Sequence, residues 1–238
     1  MIASLVGSEM CIRDRMNRSV CKRTVMTIPY NATKDSSRKY IREALLEEGI
    51  DPTKDELTQV VNAVSSSMDS IVPGPMQVMR WIKKHVGLYI RNGAKEVEWV
   101  TPSGFIVNQR RDDIETKQME LQLLGRTQVR LPTGKTSPSP NKHKSSTAPN
   151  YIHSFDASIL HRSFTQFDEP FTVIHDSVLC RAGDMGTLNR LVRETYTNIF
   201  SEECWLSKFA ETINASEPPP IVGTLDPKVV SNSTYFFC

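Results

Sequence analysis

The residues best suited to chemistry lie in a ten-residue stretch, 171–180, which reads FTVIHDSVLC. Its His-Asp-Ser stands between two short runs of β-branched and aromatic residues, and such residues favour strands. The pattern predicts a β-hairpin whose tip presents Asp176 as a carboxylate that a ligand can reach. The alternative is structural, because an Asp in a turn ordinarily accepts hydrogen bonds from backbone N–H groups. Other motifs in the chain help to decide between a functional and a structural role for Asp176.

A second stretch, RSVCKRTVMTIPY, carries cations at helical spacing. Every fourth residue is Arg18, Lys22, Met26 or Tyr30, and residues four apart share one face of a helix. A solvated basic helix is the alternative, but it would not need a thioether and a phenol in register with the cations. Lys as a point charge and Arg as a bidentate fork both suit an oligophosphate. Pro29 is predicted to end or kink this helix just before Tyr30.

A helix with this lysine, followed far downstream by a His-Asp hairpin, resembles the order of motifs B and C in right-hand polymerases. The details are similar to the single-subunit, phage-type DNA-directed RNA polymerases. Four motifs occur in that family's order and near its spacing: RxxxKRxVMTxxY at 18–30, WVTPSGF at 99–105, APNYIHSFDAS at 148–158 and HDS at 175–177. The related DNA polymerases usually have Phe in place of Met26 and Glu in place of Ser177, so the chain resembles the enzymes of RNA synthesis.

The resemblance implies an α+β, mainly helical fold. This fold would comprise the fingers and part of the palm of a right-hand polymerase, with a β-hairpin that carries the catalytic Asp. The expected segments are fingers with the motif B helix at 16–96, a specificity-type β-hairpin region at 97–135, a mobile loop at 136–150, a palm with the motif C hairpin at 151–217 and a C-terminal tail at 218–238. Residues 1–15 resemble translated sequencing adaptor and are left out of this fold.

Roles for individual residues follow from the same resemblance. The implied catalytic residues are Asp176, Lys22, Tyr30 and His153. The implied substrate-binding residues are Arg18, Arg23, Met26 and His175. Asp176 would be one of two metal carboxylates, Lys22 would neutralise the triphosphate, and Tyr30 with His153 would favour a ribose 2′-OH. The implied reaction is nucleotidyl transfer with two Mg²⁺ ions about 3.5 to 4 Å apart.

Two positions depart from the family pattern. Ile159 stands where the family commonly has a second His, and Asn31 stands where Gly commonly follows the Tyr. Asn is the residue other than Gly that best tolerates a positive φ. The turn after Tyr30 is therefore expected to form.

Between the main motifs, helix signals are clear at two positions. Asp35 or Ser36 is expected to cap a helix that runs to about Glu48. Thr53 with Glu56 forms a capping-box pattern ahead of a second helix. His153 is expected to precede a further helix.

From residue 97 to 131 the hydrophobic period changes from that of a helix to that of a strand. The alternation predicts a two-stranded ribbon with one polar face. A sheet edge that keeps its polar side in water is the alternative. The resemblance places a promoter-specificity hairpin here, and Arg and Gln are side chains that contact guanine and adenine edges. The DNA-binding residues would then be Arg126, Gln128 and Arg130.

The net charge of the whole chain is low for a nucleic-acid-binding protein, but one segment is basic. The chain has 238 residues, a net charge of +2, and five cysteines without metal-ligand spacing, which indicates reduced, unpaired thiols. No Asp or Glu occurs from residue 126 to 154, although five Arg or Lys do. Such a patch can follow phosphates, or it can be an ordinary solvated loop.

The resemblance also implies partners and a missing part. The partners would be a DNA template and promoter, nascent RNA and NTPs, with no membrane, and the full-length enzyme would be monomeric. The second metal Asp and the promoter-binding domain would lie upstream of Arg18, so the chain alone is expected not to polymerise. The expected location is the cytoplasm of an infected bacterium, in preference to an organelle. The alternatives are a DNA polymerase relative and a non-catalytic nucleic-acid-binding remnant.

Overall fold

The computed structural model describes residues 17–121, 127–175, 177–221 and 223–236. These residues form an α+β fold that is mainly helical, with three two-stranded antiparallel sheets. The chain divides into two compact units, the first covering Met1–Arg80 and the second Trp81–Cys238. Asp176 and Arg126, two of the expected site residues, lie outside the described residues.

The described part of unit one contains three complete α-helices. Helix α1 spans Arg18–Thr27 and begins at Asn17, whose side chain accepts a hydrogen bond from the Val20 N–H at 3.1 Å. Helix α2 spans Lys34–Glu47. It begins before the expected Asp35 or Ser36, because the hydroxyl of Thr33 accepts the Ser36 N–H and acts as the cap.

Helix α3 spans Lys54–Ile71 and carries the capping box that the sequence predicts. The Thr53 hydroxyl accepts the Glu56 N–H, and the Glu56 carboxylate accepts the Thr53 N–H at 2.7 Å. Apolar side chains of the three helices form the core of unit one, which consists of Val20, Ile41, Leu45, Leu57, Val60, Val61 and Val64. This core fixes which face of α1 is turned inward.

Helix α4 spans Pro73–Arg91, and the division between the units falls within it. Unit two continues with strands β1 (Val97–Val100) and β2 (Ile106–Gln109), which pair antiparallel. Strands β3 (Asp112–Leu121) and β4 (Thr127–Pro138) form a long ribbon, with a register shift between Ile114 and Thr116.

Helix α5 spans Pro140–Phe164, where the sequence had predicted a mobile loop at 136–150. That expectation is wrong in the structure, since β4 runs to Pro138 and α5 starts two residues later. The Ser139 side chain caps the helix, and Pro140 occupies its first turn, where a fixed φ favours the helix. His153, expected ahead of a helix, consequently lies inside α5.

The remaining elements complete unit two. Strands β5 (Phe171–Ile174) and β6 (Ser177–Cys180) form a hairpin. Helices α6 (Met185–Glu202), α7 (Trp205–Thr212) and α8 (Val229–Asn232) follow. Leu188, Leu191 and Val192 of α6 pack with Phe167 to form a core cluster.

The tail is docked on unit two as far as the structure describes it. Arg193 Nη1 donates to the carbonyl oxygens of Val230, at 2.7 Å, and Ser233, at 2.5 Å. The Phe236 ring packs against Tyr196, with ring centroids 5.0 Å apart. In the described part of the chain, none of the helices combines the length and the apolar character needed to cross a bilayer.

Candidate functional site

The outward face of α1 carries the predicted row of polar and soft side chains. Val20 and Thr24 of this helix are buried in unit one, whereas Arg18, Lys22 and Met26 are exposed, Met26 to 57%. Among the described residues, no carboxylate pairs with the Lys22 ammonium or the Arg18 guanidinium. The row is therefore a solvent-facing group of cations around a thioether, and not part of the core.

Arg23, the third cation of α1, is differently placed. Its Nη1 lies 3.1 Å from Glu43 Oε2 on α2, and its guanidinium stands 4.1 Å from the centroid of the Tyr40 ring. An ion pair combined with a cation–π contact orients this side chain toward α2. The Glu43 contact neutralises part of the Arg23 charge and directs the side chain toward α2, whereas Lys22 has no such contact among the described residues.

The turn after α1 forms as expected. Ile28–Tyr30 is a single 3₁₀ turn that contains Pro29, so the α-helix ends at Thr27. Asn31 has φ 70° and ψ 30°, and its N–H donates to the Ile28 carbonyl at 2.9 Å. This is the left-handed conformation that Gly adopts without strain and that Asn tolerates. Tyr30 is left 41% exposed just beyond the cationic row.

His153 lies on an exposed strip of α5, in unit two. Tyr151 and Phe155, on either side of it, are buried, and their ring centroids lie 4.8 Å apart. Burial raises the pKa of the Tyr151 phenol, with a smaller contribution from Cys204. The phenol stays neutral and donates a hydrogen bond to the Trp205 carbonyl at 3.0 Å. Packing on both sides of His153 therefore holds this part of the helix in place.

A β-hairpin is present where the sequence predicts one, at 171–180. The last paired residues are Ile174 and Ser177, so the connection consists of residues 175 and 176. His175 is exposed and has φ 57°, and positive φ values are typical of tight two-residue hairpin turns. Asp176 itself is outside the described residues, so its role stays a prediction.

A metal site would need several carboxylate, imidazole or thiolate groups close together. Within them, no three His, Cys, Asp or Glu side chains are grouped closely enough to hold a metal ion. A catalytic Mg²⁺ pair needs several oxygen ligands. The described part of the chain therefore does not fit a complete Mg²⁺ site.

The β3–β4 ribbon has the predicted polar face. Gln118 pairs with Arg130, and Glu120 pairs with Gln128, so these four side chains share one side. Gln118 also donates a hydrogen bond to Gln128. The opposite side carries Met119, and both sides are exposed. At its base the ribbon is tied to α5 by Lys142, whose Nζ lies 3.0 Å from the Asp113 carboxylate.

One group of site-related residues was missed by the sequence reasoning. Along α5, polar side chains at successive turns bond to the β1–β2 hairpin or, in one case, to Arg111 just after it: His143, Thr147, Asn150, Ser154 and Ser158. Their spacing of four, three, four and four residues is a helical signal. The signal is obscured in the sequence because the first part of this helix is rich in Ser, Lys and Pro, a composition typical of loops.

Comparison with known proteins gives a consistent result. Residues 5–218 match the family model for DNA-dependent RNA polymerase. This match begins inside the 1–15 segment, whose assignment to adaptor sequence stays a prediction.

Three relatives illustrate the match. The DNA-directed RNA polymerase of Pseudomonas phage phiKMV is 26% identical over 94% of this chain and 28% of the relative. The human mitochondrial DNA-directed RNA polymerase is 28% identical over 93% of this chain and 20% of the relative. The T7 RNA polymerase of Escherichia phage T7 is 28% identical over 93% of this chain and 29% of the relative. The chain thus spans less than a third of each of these relatives, and it belongs to the family of single-subunit, phage-type DNA-dependent RNA polymerases.

Proposed function

We propose that this chain is the C-terminal catalytic part of a polymerase that makes RNA on a DNA template, by nucleotidyl transfer from NTPs. The observation that carries the proposal is the outward face of α1, where Arg18 and Lys22 are exposed without a carboxylate partner among the described residues. Family membership supports it. The activity is proposed for a complete polymerase that contains this chain, because the chain spans only part of its relatives.

Lys22 is proposed to bind the triphosphate of the incoming nucleotide and to protonate the leaving pyrophosphate. Arg18, one turn earlier on the same exposed face, would hold a further phosphate oxygen with its planar fork. Phosphoryl transfer depends mostly on positioning and on charge stabilisation. Exposed cations held on a rigid helix suit both requirements. Arg23 is proposed to help hold phosphates with the N–H groups that Glu43 leaves free, and Met26 to line the substrate side of the helix.

Tyr30 and His153 are proposed to select the sugar. The Asn31 turn leaves the phenol of Tyr30 exposed at the end of α1, and a phenol can both donate and accept a hydrogen bond. An imidazole such as that of His153 can bond a ribose 2′-OH, which a deoxyribose lacks. The DNA polymerase alternative would require the opposite preference.

Asp176 is proposed to contribute one carboxylate to bound Mg²⁺, with His175 next to the substrate. The metal, when bound, would polarise the phosphoryl oxygens and activate the attacking hydroxyl. The rest of the ligand set is proposed to come at least in part from elsewhere in the complete polymerase, since the described residues hold no group of three possible ligands.

The polar face of the β3–β4 ribbon is proposed to contact promoter DNA through Gln128 and Arg130, together with Arg126. Exposure of this face and the presence of Arg and Gln support direct contacts with base edges. Nascent RNA would be the product. The relatives include phage and organellar enzymes, and we propose a viral enzyme that acts in the cytoplasm of an infected bacterium as a monomer.

The test is RNA primer extension by a complete polymerase that carries this chain. Asp176→Ala should reduce extension by orders of magnitude, whereas Asp226→Ala, a control at an exposed Asp of the tail, should not. Near-normal extension by the Asp176 variant would refute the proposed catalytic role. Preferential incorporation of deoxyribonucleotides by the unaltered enzyme would favour the DNA polymerase alternative.

A further inference from the structure

One side of α5 is attached by hydrogen bonds along its length to the β1–β2 hairpin and to Arg111 just after it. The residues concerned, here called the polar stripe of α5, are His143, Thr147, Asn150, Ser154 and Ser158. Their partners all come from residues 99–111. The hydrogen bonds are therefore distributed along one face of the helix and do not hold it at one point alone.

The first half of the stripe is held by Gln109, the last residue of β2, and by Arg111, two residues beyond it. The Arg111 backbone N–H donates to His143 Nε2 at 3.2 Å, and His143 Nδ1 lies 2.8 Å from the Ser139 carbonyl oxygen. Gln109 contributes both ends of its amide. Its Nε2 donates to Thr147 Oγ1 at 2.8 Å, and its Oε1 accepts from Asn150 Nδ2 at 2.7 Å.

The second half of the stripe is held by the WVTPSGF segment. Trp99 Nε1 donates to Ser154 Oγ at 3.0 Å, and that hydroxyl donates to the Tyr151 carbonyl at 2.6 Å. The hydroxyl oxygens of Ser103 and Ser158 lie 3.3 Å apart, within hydrogen-bond distance. Ser154 therefore receives one bond and gives another, which fixes its side chain.

This attachment is buried. His143 and Thr147 have no exposed surface, and Trp99 is 2% exposed. Apolar contacts tolerate small slides, but a buried hydrogen bond requires a donor opposite an acceptor. A shift of α5 by one residue would rotate its side chains by about 100° and break every bond of the stripe. The stripe therefore sets both the rotation and the axial position of α5.

The direction of the His153 side chain depends on that rotation and axial position, because His153 immediately precedes Ser154 on the helix. We propose that Trp99 and Gln109 are positioning residues, which act through Ser154 and Thr147 to fix the direction in which α5 presents His153. Sugar selection by His153 then depends on a hairpin that need not touch the substrate. This inference rests on the proposed function, since it assumes the role given to His153 there.

The first experiment measures positioning in the chain itself, without any assay of activity. The imidazole NMR signals of His153 are recorded for Trp99→Phe and for Ser154→Ala. Trp81→Phe is the matched control, because Trp81 is 7% exposed and its indole donates to the Glu217 carbonyl at 3.1 Å, away from the stripe. Ser154→Thr keeps the hydroxyl and should restore the original signals.

We expect the His153 signals to shift in Trp99→Phe and Ser154→Ala and to stay unchanged in Trp81→Phe. The two test variants remove the same hydrogen bond from opposite ends. Ser154 is only half-buried and loses only its hydroxyl in Ser154→Ala, so this variant keeps the test valid if Trp99→Phe fails to fold. Unchanged His153 signals in a folded test variant would overturn the positioning role while leaving the proposed function intact.

The second experiment measures the ratio of ribonucleotide to deoxyribonucleotide incorporation by a complete polymerase that carries this chain. Trp99→Phe and Ser154→Ala should lower the ratio about tenfold, because a small misplacement of a positioned group is costly. Ser154→Thr should recover it, and Trp81→Phe should keep it.

His153→Ala separates the two possible failures. If His153→Ala lowers the ratio but neither Trp99→Phe nor Ser154→Ala does, the positioning inference is wrong. If His153→Ala also leaves the ratio unchanged, the role given to His153 in the proposed function is wrong.

Discussion

Helices α1 and α5 both carry expected site residues, but they hold them by different means. On α1 the polar row Arg18, Lys22, Met26 faces solvent, and the opposite face packs in the core of unit one. On α5 a polar row is buried and bonded to another element, and His153 lies on the strip that remains. Polar residues at helical spacing can therefore be either the site or its support, and burial distinguishes the two.

The largest effect should come from the exposed row. In a complete polymerase that carries this chain, Lys22→Ala should lower the rate of RNA extension by about 10²-fold or more, because a charge that stabilises the transition state is lost. Folding should be unaffected, since Lys22 is exposed. Steady-state extension and a thermal melt together test this prediction.

Lys39→Ala is the control, as Lys39 is an exposed lysine of α2, with its side chain 72% accessible. It should leave both the extension rate and the melting temperature near their original values. An equal loss of rate in both variants would show that general charge, and not the α1 row, is responsible.

Changes at the polar stripe of α5 should affect the stability of the fold. Gln109→Leu should lower the free energy of unfolding of unit two by about 1 to 3 kcal/mol, because Thr147 and Asn150 lose bonds in a buried setting. All three tryptophans lie in unit two, so urea unfolding followed by tryptophan fluorescence reports on this unit. Gln77→Leu, at an exposed position of α4, should change the midpoint little. A similar midpoint shift in both variants would contradict the support role.

The smallest effect should come from the turn that ends the α1 row. Asn31→Val should destabilise the turn by about 1 to 2 kcal/mol, because a β-branched residue is strained at φ 70°. Asn31→Gly should be neutral or slightly stabilising, since Gly adopts this conformation freely. Hydrogen exchange of the Ala32 amide, which bonds the Thr27 carbonyl at 3.0 Å, measures the opening of the turn. Equal protection in the Val and Gly variants would contradict this account.

Much of the fold was predictable where the signals were local. The capping box at Thr53 and Glu56, the proline stop of α1 and the alternation of the β3–β4 ribbon each depend on residues a few positions apart. The start of α5 also has local signals, the Ser139 cap and Pro140 in the first turn, but the residues that follow them obscure the helix. Its Ser, Lys and Pro residues are typical of loops, and they are helical here because the buried His143 and Thr147 bond to residues far away in sequence.

The same division applies to the candidate site. By itself, the sequence determined the motif order, the spacing of the α1 row, the left-handed Asn31 turn and the hairpin within 171–180, because each depends on local sterics, helical period or strand propensity. Only the tertiary structure decided that Arg23 is paired with Glu43, and that the polar stripe of α5 is bonded to the β1–β2 hairpin. These contacts join residues 20 to 55 positions apart, and no local preference specifies which distant donor meets which acceptor.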